Sequence, residues 1–148
     1  MNKKLELEKL ESLLQSQRFA VLATQGEIEP YQNLIAFINT KDLKQIIFAT
    51  SKNTKKYDNI IKNSKISILI DNLGNKPDDI KKAVVVTVVG IADELKHNLD
   101  LYKNLFLKKH PYLADFINLP DTILINLKVE NYLLVDHFEN FKVIKKNI

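Results

Sequence analysis

Gln45-Ile46-Ile47-Phe48-Ala49-Thr50-Ser51-Lys52-Asn53-Thr54-Lys55-Lys56-Tyr57-Asp58-Asn59-Ile60 runs from an apolar segment through small hydroxyl side chains into a lysine-bearing helix. Gln45 to Thr50 is short, apolar and β-branched in the manner of a buried strand, and it stops at Thr50. Thr54 has the side chain of an N-cap. From Lys55 to Asn63, Tyr57, Ile60 and Ile61 recur at helical spacing, which leaves Lys55, Lys56 and Lys62 to point elsewhere. A helix start carries unpaired N–H groups and the positive end of the dipole, so hydroxyls and lysines in its first turn make a seat for an anion such as a phosphate. The same residues also describe an ordinary solvated helix start, because lysine is frequent along the whole chain.

Upstream, Leu5, Leu7, Leu10, Leu13 and Leu14 recur near helical spacing, which predicts an amphipathic helix within residues 1–17. Phe19 to Thr24 reads as a buried strand, Gln25-Gly26-Glu27 as a turn, and Tyr31 to Ile38 as a second strand. With Gln45 to Thr50 these make an antiparallel meander. Downstream, Lys65 to Asp71 is a strand, and Asn72 to Asp79 has turn composition. Ala83-Val84-Val85-Val86-Thr87-Val88-Val89-Gly90-Ile91-Ala92 is the densest β-branched run, with Gly90 placed as a bulge or close approach. A helix is expected from Asn98 to Ile117, divided or kinked at Pro111. Thr122 to Val129 and Tyr132 to Phe138 read as a strand pair turning at Glu130-Asn131, with Phe141 to Ile144 as a short edge strand. Six or seven strands with few helices predict a mainly β, α+β chain: a small antiparallel barrel with peripheral helices.

A length of 148 residues suits one domain with its own core, so residues 1–148 are taken as a single unit. There is no cysteine, which excludes disulfides and thiol nucleophiles. The charged start Met1-Asn2-Lys3-Lys4 has no apolar core of a signal peptide, and no run reaches membrane-spanning length, so a cytoplasmic protein with no membrane partner is expected. The net charge of +4 comes almost entirely from lysine, with Arg18 the single arginine. Specific nucleic-acid readers depend on arginine's planar fork, so no nucleic-acid partner is expected.

Catalytic side chains are scarce. His97, His110 and His137 have no partner at metal-ligand spacing and read as surface or capping residues, and no metal site is expected. Strand alternation sends Asp136 and His137 to opposite faces, and no nucleophile accompanies them. Gly26, Gly74 and Gly90 cannot build a Rossmann fingerprint or a Walker loop. Any enzyme here would depend on a bound cofactor for the difficult chemistry.

The ordered series Phe19 to Thr24, Pro30-Tyr31-Gln32, Ile47 to Thr50, Thr54-Lys55-Lys56, Ile66 to Ile70 and Val86 to Gly90 before Ala92-Asp93-Glu94-Leu95 resembles the pyridoxamine 5′-phosphate oxidase-like family of FMN-binding split barrels. The resemblance runs from about Arg18 to Ile144 and rests on order rather than on one motif. It implies FMN as cofactor, with Ala49, Thr50, Ser51, Thr54, Lys55 and Lys56 holding the phosphate and ribityl chain, and Asn33, Leu34, Ile35 and Ala36 lying along the ring. It also implies a homodimer with a flavin at each subunit interface and a flavin-dependent oxidoreductase acting on a small molecule. The alternative is a non-catalytic flavin- or haem-binding module on the same fold. Lys55 stands where the family places an arginine, keeping charge but losing the bidentate fork. Asn33 and Ile38 replace a basic pair, Val85 replaces a glutamine, and Lys142 to Lys146 lacks the family's Arg-x-His ending. Efficient oxidation of pyridoxamine 5′-phosphate is therefore not expected.

Overall fold

The computed structural model describes residues 3–146. Helix α1 (Lys3–Ser16) leads into β1 (Phe19–Gln25), β2 (Pro30–Asn39) and β3 (Gln45–Ser51), then α2 (Lys55–Lys62) and β4 (Lys65–Asp71). A single turn, α3 (Asp79–Lys82), precedes β5 (Val84–Glu94). Helix α4 (Leu99–Lys109), a 3₁₀ turn (Pro111–Leu113) and α5 (Ala114–Ile117) follow, and β6 (Thr122–Asp136) and β7 (Asn140–Lys145) end the described chain. The strands are ordered β3-β2-β1-β4-β5-β6-β7, and β3 also pairs with β6. Six antiparallel strands therefore close a barrel, with β7 as an extra strand, as the sequence predicts for the fold class.

Alternation along each strand sorts the side chains into two layers. Inside, Leu22, Ile35, Phe37, Ile46, Phe48, Ile68, Val88, Leu127 and Tyr132 form the main core, and Leu10, Leu13 and Leu14 of α1 join it. Burying each such side chain contributes on the order of 2 kcal/mol. The Tyr132 hydroxyl donates to the Leu43 carbonyl at 2.8 Å, which fixes the β2–β3 turn where Leu43 takes a left-handed φ of 62°. Outside, Ile38, Ile47, Ala49 and Leu124 form a second core under Phe106 of α4 and Ile117 of α5.

Glu130-Asn131 is not a hairpin. β6 runs unbroken for 15 residues and pairs with β5 from Ile125 to Asp136, with a register shift at Val89/Gly90 opposite Val129 and Asn131. The shift changes the inward phase from Ile125, Leu127, Val129 to Tyr132, Leu134, and a bulge reads in sequence much like a turn. The chain turns later: His137 and Phe138 adopt positive φ, and His137 Nδ1 lies 3.4 Å from Asp136 Oδ1 rather than on an opposite face. The long helix is divided at Pro111, as expected.

Lys9 of α1 forms an ion pair with the largely buried Asp136. That hydrogen bond, the largest influence on Asp136, holds its carboxyl below the usual range. A depressed carboxylate stabilises above its unfolded pKa, and the contribution is lost as pH falls through the folded value. Lys9→Met should cost about 1 kcal/mol at neutral pH. Urea titrations should show that difference vanishing on acidification.

Candidate functional site

β2 pairs with β1 from Pro30 to Ala36, but it pairs with β3 only at Phe37, Ile38 and Asn39. Its edge from Pro30 to Ala36 is left without a strand partner on the β3 side, and the barrel is split there. β3 continues past the split to Ser51 on the arm of β6, and α2 begins after three intervening residues. A free backbone edge offers N–H and C=O groups to whatever lies against it.

The turn into α2 is built by hydroxyls. Thr54 is the N-cap: its Oγ1 accepts from the Tyr57 N–H at 3.3 Å and donates to the Ser51 carbonyl at 2.9 Å. Thr50 is fully buried, with its Oγ1 3.1 Å from Thr54 Oγ1. Ser51 Oγ accepts from the Asn53 N–H at 3.1 Å. Thr50 and Thr54 thus shape the loop, while the N–H groups of Lys55 and Lys56 have no acceptor among the described residues. Thr54→Ala should cost about 1 kcal/mol in thermal unfolding, the usual effect of losing a cap.

Lys55 reaches across the split, with its Nζ 4.9 Å from the centre of the Tyr31 ring on β2. Lys56 is half-buried, and desolvation lowers its pKa, a cost to the charged form that a nearby anion would offset. Asp121 secures the loop from the far side, its carbonyl accepting from Lys52 N–H at 2.9 Å and its carboxylate from Asn53 Nδ2 at 3.3 Å. Neither Tyr31 nor Asp121 is visible as a site residue in the sequence, because both act across strands distant in the chain.

The other expected residues divide by face. Asn33 and Leu34 lie on the free stretch of β2. The Asn33 Oδ1 is buried without a partner, and Leu34 points outward at 67% exposure. Ile35 points into the barrel core, whereas Ala36 and Ala49 lie on the outer face with the α4–α5 cluster. Val85 is remote from the split within one chain, since β1 and β4 separate β5 from β2.

The histidines take the surface and capping positions expected of them. His97 and His137 are exposed, but His110 is fully buried at the C-cap of α4, and its Nε2 donates to the Phe37 carbonyl at 2.8 Å. Burial pushes His110 below the usual imidazole range. No cluster of three or more potential metal ligands occurs among the described residues. A 730 Å³ cleft takes Tyr57, Ile60 and Ile61 from α2 together with Asp93, Glu94 and Asn126, on a wall that excludes Lys55 and Lys56. No described helix is long and apolar enough to cross a membrane. Chemically, the split joins a cationic, N–H-rich helix start to an open strand edge, an arrangement that can hold an anionic tail and a flat hydrogen-bonding body. Among the described residues the one histidine–carboxylate contact, His137 with Asp136, is not made by residues of the split.

Among solved structures the chain is similar to a heme binding protein from Mycobacterium smegmatis, at 17% identity and a TM-score of 0.82, covering 93% of this chain and 57% of that one. The chain thus spans little more than half of that protein's length. It is similar to a protein related to general stress protein 26, of the pyridoxinephosphate oxidase family, from Clostridium acetobutylicum, at 20% identity and a TM-score of 0.72, covering 98% and 96%. A FAD-binding protein from Mesorhizobium loti is similar at 15% identity and a TM-score of 0.68, covering 86% and 91%. At these identities the likeness concerns the fold. No curated protein matches the chain. A sequence model described as pyridoxamine 5′-phosphate oxidase matches residues 7–136, which take in all six barrel strands, the split and both lysines. The chain belongs to the pyridoxamine 5′-phosphate oxidase family.

Proposed function

We propose that the split holds FMN and that the protein is a flavin-dependent oxidoreductase acting as a homodimer. The observation that carries this reading is the unpaired edge of β2 facing the capped, lysine-bearing start of α2. Ser51, the free N–H groups of Lys55 and Lys56 and their two ammonium groups suit a phosphate dianion. The free edge from Asn33 to Ala36, with its unpartnered Asn33 Oδ1, suits a planar ring bearing donors and acceptors. FMN bound there would supply acceptance and donation of hydride or single electrons. The chain's own residues anchor, neutralise and orient it.

The dimer reading rests on the outer face beside the split. Leu34, Val21, Leu69, Thr87, Leu133 and Val143 pair in sequence across six strands and form one outward row. Such a patch is uncommon on a monomer and suits a self-complementary interface. Light scattering should find a dimer in the wild type and a monomer in Leu34→Asp/Leu69→Asp; a wild-type monomer at assay concentration would contradict this part of the reading.

FMN-loaded protein should consume NAD(P)H with an added acceptor. The second reading is a binding module, for flavin or haem, without turnover. It is favoured by the likeness to a protein described as heme binding. Loaded protein that stays redox-inert with every donor tried would select it.

A further inference from the structure

Away from the split, a cleft of about 600 Å³ opens between α1 and α4. Its apolar wall is Ile38, Leu43 and Leu105, and its charged side carries Lys41, Lys108 and Lys109 with Glu11. Lys108 and Lys109 occupy the last turn of α4, where cations complement the helix dipole, and this alone would account for exposed lysines.

Lys109 is not such a residue. Its amine is drawn inward, donating to the Leu14 carbonyl at 3.0 Å and lying 4.0 Å from the centre of the Phe37 ring. An ammonium has three donors, and these two contacts leave one unused. Among the described residues no carboxylate lies within 4.0 Å of it. Partial burial and the nearby Arg18 charge lower its pKa to about 8, so the folded chain holds a partly desolvated cation beside a second positive charge. A charge drawn into a cleft is ordinarily paired, and a counter-charge within ion-pair distance, absent among the described residues, fits one brought by a ligand.

We propose that the α1–α4 cleft is a binding site for a small carboxylate with an apolar body, whose counter-cation is Lys109 assisted by Lys41 and Lys108. The apolar wall accepts the body and the three lysines outweigh Glu11. The volume lies in the range of small-molecule sites. A free inorganic anion would leave Ile38, Leu43 and Leu105 unused, which is why an amphipathic acid is assigned. The site is independent of the flavin reading and shares no residue with the split.

Octanoate titrated by calorimetry into the full chain tests it. Octanoate should bind, and 1-octanol and octylammonium should bind at least about tenfold more weakly, the equivalent of one charge-assisted contact. Lys109→Met, which keeps the apolar stem, should weaken octanoate by about tenfold or more, and Lys109→Arg should retain part of the affinity. Lys41→Met, an exposed change, should give a smaller loss and preserves the test if Lys109→Met fails to fold. Lys56→Ala should have no effect, which separates this site from the split whether or not flavin binds there. No octanoate uptake by the wild type, equal binding of octanol, or unchanged octanoate affinity in the Lys109 and Lys41 variants would overturn the proposal.

Discussion

Gly90→Ala is expected to lower the unfolding free energy by about 3 kcal/mol, and a loss of that size would leave a domain of this length marginal. Gly90 lies where β5 meets the bulge in β6, and its inward side faces the partner backbone. A Cβ built there would sit 2.1 Å from the Lys128 carbonyl oxygen and 2.9 Å from Leu127 Cδ1. The oxygen belongs to the backbone, so relief requires the strands to part and the adjoining ladder bonds to lengthen. Gly74 provides the control. Its Cβ would meet only the Asp79 side chain, at an ordinary 3.6 Å, so Gly74→Ala should change stability by no more than about 0.5 kcal/mol. Urea unfolding of both variants distinguishes them, and equal small losses would refute the packing assigned to the bulge.

Lys56→Ala should weaken FMN about 10- to 100-fold and leave riboflavin nearly unchanged. A charge-assisted hydrogen bond to a phosphate contributes about 1.5–3 kcal/mol, and riboflavin has no phosphate to lose. Lys56 is the stronger choice of the two lysines because it is half-buried, with less water to replace its contact, whereas Lys55 is already engaged over Tyr31. Lys55→Ala should have a smaller effect. Fluorescence quenching of each flavin gives the two affinities, and equal losses for FMN and riboflavin would remove the phosphate role from Lys56.

The strands were legible because β-branched runs such as Val84 to Val89 and Ile66 to Ile70 carry their structure locally. Thr54 as N-cap and Gly90 at a bulge were legible for the same reason: each is a local steric or hydrogen-bonding demand. Glu130-Asn131 misled because a phase change in the inward pattern marks a bulge and a turn alike, and only the partner strand distinguishes them. The division of β2 between a paired end and a free edge depends on where β3 departs, which no alternation in β2 records. The burial of His110 and the inward turn of Lys109 depend on how α4 lies over Phe37 and Leu14, so a Lys-His-Pro sequence at a helix end gave no sign of either. The candidate site was accordingly readable as an anion seat at one helix start. Its other wall, the open strand edge with Tyr31, came from the fold.

The absorption spectrum of the protein as isolated, followed by release of its chromophore on denaturation, tests the flavin assignment most directly. A yellow protein with a flavin spectrum, yielding FMN at about one per chain, is the predicted result, since each chain offers one cationic helix start at its split. A colourless protein that takes up no added FMN, or one whose spectrum is that of haem, would contradict it.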